Sequence, residues 1–168
     1  MSRRPLIFAA AAALVFAGGC KPKAKEITSL QRKEAATLVS EALFALQLHD
    51  LPRAEGLYVQ ATALCPDEGK YWVDLGSLRV RLGHRDAART AYKSALTAYE
   101  TLGADNKDPQ PLLQQVYVLA LMGRVDDAKA ALAKVQKLFP DNRAVRGFTE
   151  GGQFEKMLAD PRFREIAL

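Results

Sequence analysis

The chain has 168 residues, of which 49% are hydrophobic, with 24 basic and 19 acidic side chains. This length is sufficient for one globular domain that buries about 70% of the surface of its unfolded chain. The formal net charge is +5, and even the cluster of Arg79, Arg81, Arg85 and Arg89 belongs to a sequence with interspersed acids. The composition therefore indicates solvated faces rather than a nucleic-acid-binding protein.

Residues 1–19 are a predicted secretory signal peptide. Met1-Ser-Arg-Arg-Pro is basic, residues 6–17 are apolar, and the small residues Gly18 and Gly19 precede Cys20. The alternative, a membrane-spanning helix, needs roughly 20 apolar residues, and this run is shorter. Without the segment, 22 basic and 19 acidic side chains remain.

Cys20 directly follows the predicted signal peptide. The stretch Ala17-Gly18-Gly19-Cys20 resembles the lipobox of bacterial lipoproteins. The resemblance implies that Cys20 carries covalent lipid, and several acyl chains on one residue would anchor the protein stably in a membrane. Ala17 stands where leucine is commonest in that family, so ordinary signal cleavage with a free thiol is the alternative.

Residues 20–27 form a predicted tether behind the anchor. Lys21, Lys23 and Lys25 lie in it, and we expect them to be solvated, the alternative being attraction to anionic lipid headgroups.

With Cys20 lipidated, Cys65 has no internal disulfide partner, so stability must come from packing. Cys65 itself is predicted to be a packing residue, the alternative being a disulfide between two chains.

Six helices are predicted between residues 28 and 140. Thr28-Ser-Leu-Gln31 has the pattern of a capping box that opens the first one. Apolar residues recur at helical spacing, no strand alternation is present, and turn signals interrupt the pattern every 15 to 20 residues. Short turns make neighbouring helices antiparallel. Three hairpins follow: 29–48 with 51–65, 70–82 with 85–102, and 110–122 with 125–139.

The hairpins repeat along the chain. Pairs of similar residues are separated by 34 positions, which is the period of tetratricopeptide repeats: Leu38 and Trp72, Ala54 and Ala88, Tyr58 and Tyr92, and Ala61 and Ala95. The third hairpin follows 40 positions after the second, with Gly123 matching Gly83.

The middle hairpin resembles the tetratricopeptide-repeat (TPR) family. The resemblance is carried by Trp72, Leu75, Gly76, Gly83, Ala88, Tyr92 and Ala95. It implies an all-α fold in which three antiparallel hairpins, about 29–66, 69–102 and 109–140, stack as a short right-handed solenoid. Small Gly76 and Ala88 would allow close approach of two helices, and Trp72 and Tyr92 would fill the space between hairpins.

Residues 141–168 are predicted to form a helical cap. Helical patterns begin at about Asn142 and resume after Gly151-Gly152. A stack of repeats needs a terminal element with a polar outer face. We expect the cap to pack on the third hairpin through Phe148, Phe154, Leu158 and Phe163. The alternative is a peptide-like tail that docks elsewhere.

No catalytic or metal-binding set is evident. The sequence has no P-loop, dinucleotide fingerprint, H-E-x-x-H or G-x-S-x-G motif. His49 and His84 lie in corresponding turns, but no Cys, Asp or Glu cluster accompanies them. We expect no enzyme activity, no metal, and no cofactor besides the covalent lipid on Cys20.

The TPR resemblance implies a concave face lined by the first helix of each hairpin. Its places are mostly apolar here, and the places of the carboxylate clamp found in chaperone-binding TPRs hold Val39, Leu43, Asp74, Gln110 and Gln114. The implied partner is another protein or an apolar or amphipathic peptide segment, with no nucleic acid and no small-molecule substrate. Tyr117 and Arg81 are the leading contact residues and Leu43 an apolar anchor. The predicted partner-binding residues are Val39, Leu43, Leu46, Gln47, Val73, Ser77, Val80, Arg81, Leu113, Tyr117, Ala120 and Leu121. The alternative is that several of them, Val80 and Leu121 above all, belong to the core.

These features predict a membrane-anchored scaffold for protein–protein interaction in the bacterial cell envelope. Lys21 behind the cysteine resembles the sorting pattern of outer-membrane lipoproteins that face the periplasm. Relatives of this kind serve machines such as pilus or secretin assembly or outer-membrane protein assembly. The alternatives are an accessory subunit of a cell-wall enzyme and a self-associating structural lipoprotein.

Overall fold

The computed structural model describes residues 26–168, so Cys20 and the predicted signal peptide lie outside the described residues. Nine α-helices form within this range. The first six pair into three antiparallel hairpins, and three short helices follow. The helices are α1 (Ser29–Gln47), α2 (Leu51–Leu64), α3 (Gly69–Arg81), α4 (Arg85–Leu102), α5 (Pro109–Leu121), α6 (Val125–Leu138), α7 (Arg143–Thr149), α8 (Gln153–Ala159) and α9 (Pro161–Arg164).

The ends of α1–α6 lie within one residue of their predicted positions, because local signals determine them. At the start of α1 the Gln31 amide donates to Thr28 Oγ1 over 3.2 Å, and the Thr28 amide donates to Gln31 Oε1 over 3.0 Å. This confirms the predicted capping box. The turns within the hairpins each contain a left-handed residue: His49 (φ 59°), Gly83 (φ 81°) and Gly123 (φ 72°). Glycine adopts this conformation freely, whereas His49 adopts it at a cost of about 1 kcal/mol or more.

The contact between α3 and α4 depends on glycines opposite tyrosines. A Cβ added to Gly76 would lie 2.4 Å from the Tyr92 ring, and one added to Gly69 would lie 2.7 Å from the Tyr99 ring. Ala88 is fully buried in α4. The predicted close approach is therefore confirmed at Gly76, and the buried position of Ala88 is consistent with it.

Trp72 packs between hairpins as predicted, against the cluster shared with the first hairpin and against the cluster shared with the third. Tyr92 is fully buried, but Trp72 is only partly buried. Its indole Nε1–H donates to the Pro66 carbonyl oxygen over 2.9 Å. The polar edge of the indole thus remains near the α2–α3 turn, and only part of the ring reaches the core.

The largest hydrophobic cluster joins the second and third hairpins to the cap. Phe154 and Phe163 are buried in it, and Phe148 and Leu158 pack against it. The prediction that these four residues attach the cap to the third hairpin is confirmed. Two smaller clusters unite the first hairpin with the second.

Candidate partner-binding surface

The residues predicted to line the concave face lie in two unlike environments. On α1, Val39 and Leu46 are partly buried while Leu43 and Gln47 are exposed. On α3, Arg81 is exposed at the last turn. The part of the concave face between α1 and α3 is therefore open to solvent at several predicted positions.

The α5 end of the concave face is covered. Val73 is 8% exposed, Leu113 4% and Leu121 0%, and Ala120 is buried beside them. Ser77 and Val80 on α3 are partly buried. Val73, Leu113, Ala120 and Leu121 therefore belong to the core and do not line an open groove.

Residues 160–168 cover the α5 end. The rings of Tyr117 and Phe163 meet edge to face, with centroids 5.8 Å apart and planes inclined by 65°. The Leu168 amide donates to the Leu121 carbonyl oxygen over 2.8 Å. Ile166, Ala167 and Leu168 pack against the main cluster. Tyr117, the leading predicted contact residue, is thus already engaged by the protein's own chain.

Tyr92 connects this segment to the second hairpin. Its hydroxyl donates to the Ile166 carbonyl oxygen and lies 3.3 Å from Ser77 Oγ. Burial raises the pKa of Tyr92 to about 12, and burial also raises the pKa of Tyr117. Both phenols therefore remain neutral hydrogen-bonding groups at physiological pH.

Large apolar side chains are exposed on α1 and its C-cap residue. We call the group at the C-terminal end of α1 the α1 apolar face; its members and their exposed fractions are Leu43 (50%), Phe44 (57%) and Leu48 (60%). Phe44 and Leu48 are four residues apart and share one side of the helix, and Leu43 lies about 100° round the axis from Phe44, towards the concave face. Leu30 is also exposed (72%), but it lies near the start of α1, separated from Phe44 by the exposed side chains of Lys33, Thr37 and Glu41.

Sequence reasoning identified Leu43 but missed the rest of the α1 apolar face. The signal was present, because the opposite side of α1 buries its own apolar set of Ala35, Ala42 and Ala45. A helix with apolar residues on two sides needs two packing surfaces. Within the described residues only one of them is covered.

Arg79 and Glu55 connect α2, α3 and the start of α4. Arg79 Nε donates to Glu55 Oε1 over 2.7 Å, and Arg79 Nη1 donates to the Ala87 carbonyl oxygen over 3.2 Å. His84 Nδ1 lies 3.5 Å from Glu55 Oε2. These contacts hold α2, α3 and the start of α4 in a defined orientation.

Cys65 is buried between the end of α2 and the start of α1. It is 1% exposed, and its Sγ–H donates to the Gln31 carbonyl oxygen over 3.7 Å. Burial raises the pKa of the thiol, which disfavours the reactive thiolate. Cys65 is a packing residue in this structure, and the alternative of a disulfide between folded chains is wrong because the sulfur is not accessible.

A cleft of about 760 Å³ lies on another surface, between the α2–α3 turn and α4. Trp72, Lys93 and Leu102 are among its lining residues. Across residues 26–168, no three His, Cys, Asp or Glu side chains are grouped so that they could hold a metal ion. In the same range, no helix combines the length and the apolar character needed to cross a membrane.

Comparisons with known proteins found similar solved structures and matching family models. The chain is similar to two solved structures of the type III secretion translocator chaperone SycD of Yersinia enterocolitica. One is 19% identical with a TM-score of 0.48, over 74% of this chain and 87% of that one. The other, described as an alternative dimer, is 17% identical with a TM-score of 0.47, over 83% and 96%. The search of curated proteins gave no match.

Two family models match the sequence directly. Both are described as tetratricopeptide repeats; one matches residues 69–102 and the other residues 112–142. These segments coincide with the α3–α4 hairpin and with most of α5–α6. The second and third hairpins therefore match tetratricopeptide repeats in sequence as well as in structure.

Proposed function

We propose that this chain is a lipid-anchored scaffold of the bacterial envelope that binds another protein through the α1 apolar face and the adjoining open part of the concave face. Tetratricopeptide repeats indicate a protein-binding role, because stacked repeats present extended surfaces to partners. The lipid anchor and the envelope location rest on the sequence around Cys20.

The exposed α1 apolar face is the observation that carries the proposal. Three large apolar side chains, each at least half exposed, lie within six residues at the end of α1 and at its cap residue. Clusters of exposed apolar side chains with a polar rim are typical of interaction sites. Covering this face would remove apolar surface from water without rearranging the core.

The geometry favours an amphipathic helix as the bound element. The face occupies the last turns of α1, and from Leu43 to Leu48 it spans about 8 Å along the helix axis. Glu41, Asp50 and Arg53 are exposed near it and provide a polar rim of mixed charge. Such a rim fits a helix with one apolar stripe better than a uniformly charged peptide.

The binding proposal is tested by site-specific photo-crosslinking in intact cells. A photoreactive residue replaces Phe44 in one strain and Leu138 in the other. Leu138 is a matched control because it is 44% exposed but lies on α6. We expect one defined adduct from position 44, which disappears when Leu43→Ser and Leu48→Ser are added, and no such adduct from position 138.

Different adducts would identify other binding modes. The same adduct from both positions would contradict binding through α1. An adduct between two copies of this chain would instead support the self-associating alternative. Tyr117→Ala is unsuitable as a binding test, because Tyr117 packs against Phe163 and its loss would also disturb residues 160–168.

The anchor is tested separately with Cys20→Ala. We expect the wild type to partition with membranes and its N-terminal peptide to carry acyl mass. The variant should accumulate as precursor or soluble protein. Unmodified wild-type peptide with unchanged partitioning would contradict the anchor and leave the binding proposal untouched.

A further inference from the structure

Residues 160–168 contact the concave face as a bound peptide would. Phe163 meets the Tyr117 ring, the Ile166 carbonyl accepts from Tyr92, and the Leu168 amide donates to the Leu121 carbonyl. One aromatic anchor and two backbone hydrogen bonds form the specific contacts. Backbone hydrogen bonds with a pocket for an anchoring side chain are a recurring mode of peptide recognition.

Residues 160–168 have one buried anchor and an exposed outer side. Phe163 is 8% exposed, whereas Pro161, Arg162, Arg164 and Glu165 are exposed. A cleft of about 520 Å³ lies beside the segment, between α8–α9 and Tyr117. A terminal segment that is held by one anchor and by the packing of residues 166–168 can open locally without unfolding the hairpins.

The helix breaks where the segment begins. Asp160 separates α8 from α9 with an extended backbone (φ −64°, ψ 123°), and its carboxylate accepts from the Arg162 amide over 2.9 Å and pairs with the Arg162 side chain. The Arg164 side chain donates across the break to the Ala159 carbonyl oxygen over 2.9 Å. Release of the segment from Tyr117 therefore requires rotation at Asp160 and the loss of this exposed hydrogen bond, while Phe154 keeps α8 in place.

We propose that the α5 end of the concave face is a second docking surface, that residues 160–168 occupy it as an internal ligand, and that a partner segment with an aromatic anchor displaces them. This inference deepens the proposed function, since it adds a site to the same face. The bound segment carries an aromatic side chain for Tyr117, a backbone carbonyl for Tyr92 and a backbone amide for Leu121.

Residues 160–168 also compete with any free partner segment for the same surface. A covalently linked ligand acts at an effective concentration in the millimolar range when the linker is short. A free segment with the same contacts therefore binds poorly until the internal one is weakened. A partner displaces residues 160–168 in one of two ways. It makes additional contacts, for example with the α1 apolar face, or it binds the α5 end of the concave face more tightly than they do.

The test uses a fluorescent synthetic peptide with the sequence of residues 160–168 and the full chain. Fluorescence anisotropy measures peptide binding to the wild type, to Phe163→Ala and to Phe139→Ala. Phe139 is a matched control because it packs against the same cluster but makes none of the three contacts described above. We expect Phe163→Ala to bind the peptide at least about tenfold more tightly than the wild type does.

Two further results are expected. Phe139→Ala binds the peptide like the wild type, and a peptide carrying alanine in place of Phe163 binds none of the proteins. A folded Phe163→Ala protein that binds the peptide no better than the wild type overturns the inference. So does an equal gain in Phe139→Ala, which would indicate general destabilisation.

A second variant covers the case in which Phe163→Ala does not fold. Ile166→Ala shortens a side chain of the internal segment that packs against the main cluster, and it leaves Tyr92, Tyr117 and Leu121 unchanged for the added peptide, which keeps Ile166. We expect a severalfold gain in peptide affinity and faster hydrogen exchange of the Leu168 amide. An unchanged affinity in that folded variant overturns the inference. Neither measurement involves α1, so the crosslinking test can fail independently.

Discussion

Replacing Gly76 by alanine tests the tightest contact in the hairpin stack. The new methyl carbon would lie 2.4 Å, 2.5 Å and 3.0 Å from three atoms of the Tyr92 ring. The ring is fully buried, and its hydroxyl is held by Ser77 and Ile166. It cannot rotate away without losing those contacts.

Two opposing effects determine the size of the change. Alanine in place of glycine in a helix interior stabilises by about 1 kcal/mol. Overpacking a well-filled core costs about 1–3 kcal/mol. The net effect of Gly76→Ala is therefore between no change and a loss of about 2 kcal/mol in the free energy of unfolding.

Gly56→Ala is the matched control. Gly56 lies inside α2, and a Cβ added there would meet no atom within 4 Å. Only the higher helix propensity of alanine remains, so the free energy of unfolding of this variant should rise by about 1 kcal/mol. Urea denaturation followed by far-ultraviolet circular dichroism measures both. Two variants of equal stability would refute the contact between Gly76 and the Tyr92 ring.

Three further predictions concern the core. Ala88→Leu should lower the free energy of unfolding by about 1–3 kcal/mol, because the longer side chain overpacks its site. Trp72→Ala should lower it by less than the roughly 3–5 kcal/mol typical of a fully buried ring. Thermal melts of both variants check this. Cys65 should react slowly with a maleimide in the native protein and rapidly in urea, because it is buried; equal rates would contradict its burial. The Tyr92 pKa rises from 10.0 to about 12 through burial, so its neutral form stabilises the fold below pH 10 and that contribution is lost towards pH 12. Melting temperatures measured across this range should therefore fall more for the wild type than for Tyr92→Phe, and parallel curves would contradict the assignment.

The hairpins were predictable because their determinants are local. The Thr28–Gln31 capping box, the turn glycines and the 34-residue spacing each operate within one or two helices. Gly76 and Ala88 could be interpreted physically without coordinates, since two antiparallel helices need small residues at their contact. The helix ends follow from the same signals.

The concave face was only partly predictable because its α5 end depends on distant pairings. Tyr92 and Ile166 are 74 residues apart, and no periodic pattern relates them. The sequence left two roles for residues 141–168, a cap and a docking tail. In the structure Phe154 belongs to the cap and Phe163 reaches Tyr117. Val73, Leu113 and Leu121 were expected in an open groove, but they are buried in the cluster against which residues 166–168 pack.

The stack formed by residues 26–168 has two unlike ends. The α1 apolar face lies at one end, and the cap at the other exposes Arg143, Arg146 and Arg164. If two copies of the chain met head to tail, leucine and phenylalanine side chains of one would contact the guanidinium groups of the other, which is unfavourable. Two copies that met through α1 about a two-fold axis would cover both apolar faces and leave charged ends outward. Within residues 26–168, association through α1 would therefore stop at the pair, because the cap end offers charged side chains to a further copy.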